Sequence, residues 1–141
     1  MTLEEKGPIV PPPTLKKFPQ QVSTEIQSWK KIIAATHWEI NDNTSPNGAD
    51  FYVGNEELGH IHLDGEVHIP IGKKISEKLI KMKLAKKFMY SNDWITSAIE
   101  TKEDVSHATW LFKLNYTRIL KKDEEKLFLE IEEYSKNKSL S

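Results

Sequence analysis

The sequence predicts an α+β domain, in which an antiparallel β meander of four to five strands is packed on one face by three to four helices. Three observations carry this. First, two alternating runs flank Asp64-Gly65 between Glu57 and Ile71, the pattern of a β-hairpin. Second, five of the six glycines fall between positions 48 and 72, a density that suits short strands joined by tight turns. Third, capped stretches of helical periodicity stand before and after this region. Consecutive short strands make an antiparallel sheet, and amphipathic helices must then bury their apolar sides against it.

Residues 1–20 hold five of the seven prolines, including Pro11-Pro12-Pro13. Proline fixes φ and lacks a donor, so this leader is expected to be extended, with no helix of its own. It would be either a loose tail or a strap along the surface. The α+β domain is expected over 21–135, and 136–141 as a polar, frayed tail.

The spacing of Ile26, Trp29, Ile32 and Ile33 predicts a helix over 24–36, capped by Ser23 or Thr24. His37 to Ile40 begins an extended segment. Asn41 to Gly48 is a turn cluster, and Phe51-Tyr52-Val53 is a short strand. A second helix is expected over 76–87, with Ser76 as N-cap and Leu79, Ile80 and Leu84 facing the core. Phe88-Met89-Tyr90 reads as a short strand, and Trp94 to Ile99 as a better one. Thr101 caps a long helix with Asp104 at its third position. Its inner stripe is Val105, Ala108, Leu111, Phe112, Asn115/Tyr116 and Ile119. Asp123 caps a last helix carrying Leu127, Phe128, Ile131 and Tyr134 on one side.

In the hairpin, a three-residue loop, Asp64-Gly65-Glu66, pairs Leu63 with Val67 and Ile61 with Ile69. That register gives one apolar face made of Ile61, Leu63, Val67, Ile69 and Ile71. His60, His62 and His68 gather on the other, with His62 opposite His68.

Composition narrows the function classes. The chain has no cysteine, which removes disulfides and thiolate metal sites and suits a reducing, cytoplasmic setting. A net charge of −1 predicts no strong pull toward nucleic acid or an anionic membrane. No signal-peptide or membrane-spanning run is apparent, so a soluble chain is expected.

The string Phe51-Tyr52-Val53-Gly54-Asn55-Glu56-Glu57-Leu58-Gly59-His60-Ile61-His62 carries a resemblance. So do Ile69-Pro70-Ile71, Asn92-Asp93-Trp94-Ile95 and the helix end Leu111-Phe112-Lys113-Leu114-Asn115-Tyr116. Together they resemble a bacterial and fungal domain family of unknown function, often labelled "luciferase family protein". The resemblance spans roughly residues 20–120 and centres on the Gly-His-x-His step. His68 stands where many members have Asp, Lys87-Phe88-Met89 where many have a His-His pair, and Asn115 where many have Ser. The family has no agreed mechanism, so no catalytic residue carries over.

Three site readings follow from the residues. Three imidazoles at His60, His62 and His68 can converge on one divalent metal, because neighbours two apart on a strand lie ~7 Å apart and cross-strand pairs are closer. The string Gly54, His60, His62, Glu66, Gly72 approximates a cupin metal motif. Its last gap is one residue short, however, and the chain downstream is helical. The plainer alternative is a polar sheet face whose histidines are hydrogen-bonded to loops. Glu57, Glu66, Trp94 and Tyr116 are candidate ligand-binding residues. Lys78 and Lys81, in a lysine-rich helix with its lead-in over 73–87, are candidate nucleic-acid contacts.

The leading expectation is a small-molecule- or partner-binding domain with no catalysis demonstrated. The alternatives are a histidine-based metalloprotein, with or without enzymatic activity, and a weak nucleic-acid binder. No cofactor is predicted beyond that candidate divalent metal, and no membrane partner.

Overall fold

The computed structural model describes residues 1–140. Among them, one antiparallel sheet has six strands: β1 (Ile32–Glu39), β2 (Asp42–Val53), β3 (Glu56–His62), β4 (Glu66–Ile69), β5 (Lys86–Lys87) and β6 (Ile95–Ala98). Their spatial order is β1-β2-β3-β4-β6-β5, a meander continued by a hairpin in which β6 lies inside β5. The helices are α1 (Leu3–Lys6), α2 (Lys17–Gln27), α3 (Lys73–Lys81), α4 (Lys102–Lys121) and α5 (Glu124–Leu140). The α+β class is as expected.

The main core lies between the sheet and the helices. Phe51, Ile61, Val67, Ile69 and Ile95 from the strands meet Val22, Ile26, Leu79, Leu111 and Phe112 from the helices. Phe51 and Phe112 pack edge to face, with centroids 5.9 Å apart. The α4 start matches its expected cap: the Asp104 carboxylate accepts from the Thr101 and Glu100 amides. Leu127 and Ile131 anchor α5.

Several elements differ from the sequence reading. The first helix starts earlier, at Lys17, because Pro19 sits in the first turn, where no intrahelical donor is needed. It ends at Gln27, and the β-branched run from Ile32 becomes β1 rather than more helix. The turn expected over 41–48 shrinks to a tight reversal at Asn41, whose φ is 62°. β2 begins at Asp42, and register shifts between His37 and Glu39 accommodate Pro46. α3 starts four residues after β4 ends, with Gly72 rather than Ser76 at its N-cap, and it stops at Lys81 before the left-handed Lys83. β5 is Lys86–Lys87, so Phe88 to Tyr90 is not a strand. α5 continues through the expected polar tail to Leu140, while Ser141 lies outside the described residues.

The leader is a strap, and it is not wholly extended. The Thr36 amide donates to Val10 O at 2.9 Å, its hydroxyl to Pro11 O at 2.8 Å, and the Trp38 indole to Pro8 O at 3.0 Å. These bonds cover the edge strand β1, which would otherwise offer unpaired backbone groups. α1 lies on the sheet face opposite the main core, where Leu3 packs with Ala35 and Tyr52. The second face of the sheet is therefore partly covered as well.

Candidate metal centre

β3 and β4 pair as His60↔His68 and Ile61↔Val67. This is two residues away from the expected register, in which Ile61 faced Ile69. A shift of two preserves face parity, so Ile61, Val67 and Ile69 are still buried and the three histidines still share the opposite face. Leu63 is the exception: it moves into the turn and is 40% exposed. The turn is wider because Gly65, at φ 93°, closes on His62 O and is clamped against the end of β6, where the Ile99 amide donates to Gly65 O. A side chain at Gly65 would meet Ile99 O at 2.6 Å.

The fold adds a fourth histidine. His37 pairs with Gly48, and Gly48 with His62, so one cross-strand row has an imidazole at each end and no side chain between them. The His37 ring stacks on His60 at 4.0 Å and meets the edge of His62 at 5.0 Å. The sequence offered a signal for this: Ile33, Ala35 and His37 alternate. Reading 24–36 as a helix concealed it.

Carboxylates hold the outer nitrogens. His60 Nδ1 lies 2.8 Å from Glu57 Oε2, His68 Nε2 lies 2.8 Å from Glu66 Oε1, and His37 Nδ1 lies 2.7 Å from Asp50 Oδ1. With His60 Nδ1–H and His68 Nε2–H donated outward, the other nitrogen of each of these two rings faces the cluster as a lone pair. His68 Nδ1 is 3.1 Å from His60 Nε2 and 3.2 Å from His62 Nε2. His37, His60 and His62 also each bring a ligand atom within 4.8 Å of the others.

Burial pushes the His60 imidazole below its ordinary pKa, outweighing Glu57 and Asp50. Burial, then repulsion from His60, His37 and His68, pushes His62 down to about 4. Both are therefore neutral at pH 7, the state in which imidazole binds metals. Burial opposes the Glu57 charge, yet the hydrogen bond from His60 and the Lys6 ammonium hold its carboxyl down at about 2. Lys6 reaches in from α1, 2.9 Å from Glu57 and 3.3 Å from Asp50. Burial opposes its charge too, but the two carboxylates keep its pKa above the usual lysine range.

Residues 55–115 match the model of the Luciferase domain family. No curated protein and no solved structure matches the chain. The matched stretch runs from β3 to Asn115 in α4. It contains Glu57, His60, His62, Glu66 and His68, whereas Lys6, His37 and Asp50 lie before it.

The other candidate residues are placed as follows. Trp94 stands beside the cluster, its ring 5.7 Å from His60. Tyr116 is on the opposite side of the sheet, buried between α2 and α4, with its hydroxyl donating to Lys30 O. Lys78 donates to Glu132 of α5 at 2.8 Å. Lys81 is exposed in the last turn of α3. His107, the fifth histidine, is distant from the cluster and bonds Tyr134 and Leu84 O. No helix among the described residues is long and apolar enough to cross a membrane. Phe88, Asn47 and Asp50 complete the surroundings, and sequence reasoning missed all three because long-range strand pairing brings them in.

Proposed function

We propose that this chain is a metal-binding domain that holds one divalent cation, of the zinc type, through His60 Nε2, His62 Nε2 and His68 Nδ1. One observation carries the reading. His68 Nδ1 lies 3.1 Å from His60 Nε2 and 3.2 Å from His62 Nε2. Ligands of a tetrahedral zinc site, with bonds of 2.0–2.1 Å, lie about 3.3 Å apart. Without an ion the spacing is awkward. His60 carries its proton on Nδ1 and His68 on Nε2, so His62 alone can supply a proton to the shared space. A cation satisfies all three lone pairs at once.

The surroundings support it. Glu57 and Glu66 fix ring tautomers, as carboxylates do for metal-bound histidines. Asn47 Nδ2 lies 3.0 Å from His62 Nδ1. A half-turn of that amide presents Oδ1 instead, moves the His62 proton to Nδ1 and frees Nε2 for the ion. His37 stands next to the triad as a further imidazole. The ligands are all nitrogen and leave a position for water or an exogenous ligand, the pattern of an open rather than a closed site.

The broader expectation of a small-ligand-binding domain is contained in this reading. Nucleic-acid binding through α3 has weaker support, since Lys78 is engaged by Glu132. The test is metal analysis of untagged protein loaded with zinc and desalted. One ion per chain is expected, falling to background in a His60→Ala/His62→Ala variant that still folds. A background content in the wild type, or the same content in the variant, would sink the reading.

A further inference from the structure

One wall of the centre is aromatic, and the core does not explain it. Phe88 and Trp94 are half-buried and stand outside the main hydrophobic cluster. The Phe88 ring is 4.8 Å from His68 at 65°, and Trp94 is 5.7 Å from His60. The two rings lie 5.9 Å apart, and Tyr90 extends the row 5.5 Å beyond Phe88. Tyr90 is 82% exposed and Met89 78%. Strand parity explains how the wall reaches the histidines. Lys86 pairs with Thr96, and Thr96 with His68, so these residues share the histidine face. Phe88, two residues after Lys86, continues that side.

We propose that the centre takes a small aromatic ligand bearing an anionic oxygen donor, with the donor on the metal and the ring against Phe88, Trp94 and Tyr90. This rests on the metal reading above. The donor class follows from charge: a divalent cation on three neutral imidazoles keeps its full charge and an open position, which an anionic oxygen fills. Lys86, paired with Thr96, adds a cation on the same face. The ring class follows from the wall. Edge-to-face and tilted rings reward a flat π-system over an aliphatic chain of similar area. Phenolates, catecholates and aryl hydroxamates share this chemistry.

Benzohydroxamate and acetohydroxamate carry the same metal-binding group and differ in the ring. Titrated calorimetrically into zinc-loaded full-length protein, benzohydroxamate should bind about tenfold tighter. In Phe88→Ala/Tyr90→Ala, with zinc content measured on the same sample, the preference should fall to about threefold or less. Equal affinities in the wild type with one zinc per chain overturn the ligand class and leave the metal reading standing. So does a preference that survives the double substitution. A wild type that holds no zinc overturns both. If the double variant loses its zinc through the Phe88–His68 contact, Tyr90→Ala alone decides: it is at the exposed end of the row, and a preference unchanged there also overturns the assignment.

Discussion

His60 Nε2 and His68 Nδ1 face each other across two strands at 3.1 Å, each with its other nitrogen held by a carboxylate. Two lone pairs at this distance repel unless a proton or a cation lies between them. The local chemistry therefore depends on what occupies that space, and the first prediction concerns the carboxylates that aim the lone pairs there. Glu57→Gln keeps the shape at His60 Nδ1 but no longer requires it to be the donor. Zinc affinity should fall about 10- to 100-fold, as it does when a carboxylate that holds a metal-bound imidazole's other nitrogen is lost. Competition with a chromogenic chelator measures it, and an unchanged affinity would show that Glu57 does not orient His60.

Acid should unfold the metal-free protein in a defined window. His60 and His62 are both depressed in the fold, His62 to about 4, against an ordinary value of 6.5. The unfolded chain takes up these protons first. Stability from these groups is thus complete above about pH 6.5 and declines as pH falls toward 4. Glu57, held at about 2, has the acid carboxylate sign, and its contribution persists through this window until pH falls below 4.5. Thermal melts in chelator at pH 7.5 and 4.5 should differ by roughly 5 °C or more, and His62→Asn should narrow the gap. A gap of the same size in the variant would remove His62 from the explanation.

Lys6→Met tests the strap. The Lys6 side chain is 14% exposed, and its partners Asp50 and Glu57 are 0% and 12%. Removing the cation leaves two buried carboxylates without it, a loss of about 2–3 kcal/mol. Urea denaturation reads it directly. A loss under about 0.5 kcal/mol would mean that His37 and His60 satisfy the carboxylates unaided.

Two glycines should respond differently to alanine. Gly59 has φ 148°, and an added Cβ would lie 2.7 Å from the Phe112 ring and 2.8 Å from His68 O. It is next to His60, so relief of that clash would move the centre. Gly59→Ala should cost about 3 kcal/mol and weaken metal binding. Gly54, at φ 63° with open space around it, should cost only about 1 kcal/mol. Equal losses at the two sites would contradict the close packing of α4 on β3.

The sequence alone determined which face the paired hairpin residues occupy, though not that Leu63 would leave the core face for the turn. Side chains alternate with a period of two, so a register error of two left His60, His62 and His68 together and Ile61, Val67 and Ile69 in the core. Local capping chemistry likewise marked the start of α4 at Thr101 and of α5 after Asp123. The tertiary structure decided what long-range pairing controls. The β3–β4 register depends on Gly65 fitting against Ile99. His37 reaches the cluster because β1 pairs across the side-chain-free Gly48. Lys6 is in place because the leader docks on an edge strand and its charge finds two buried carboxylates. Separations of tens of residues leave no periodicity in the chain, so three of the polar groups around the centre, Lys6, His37 and Asp50, became legible only once the sheet was assembled.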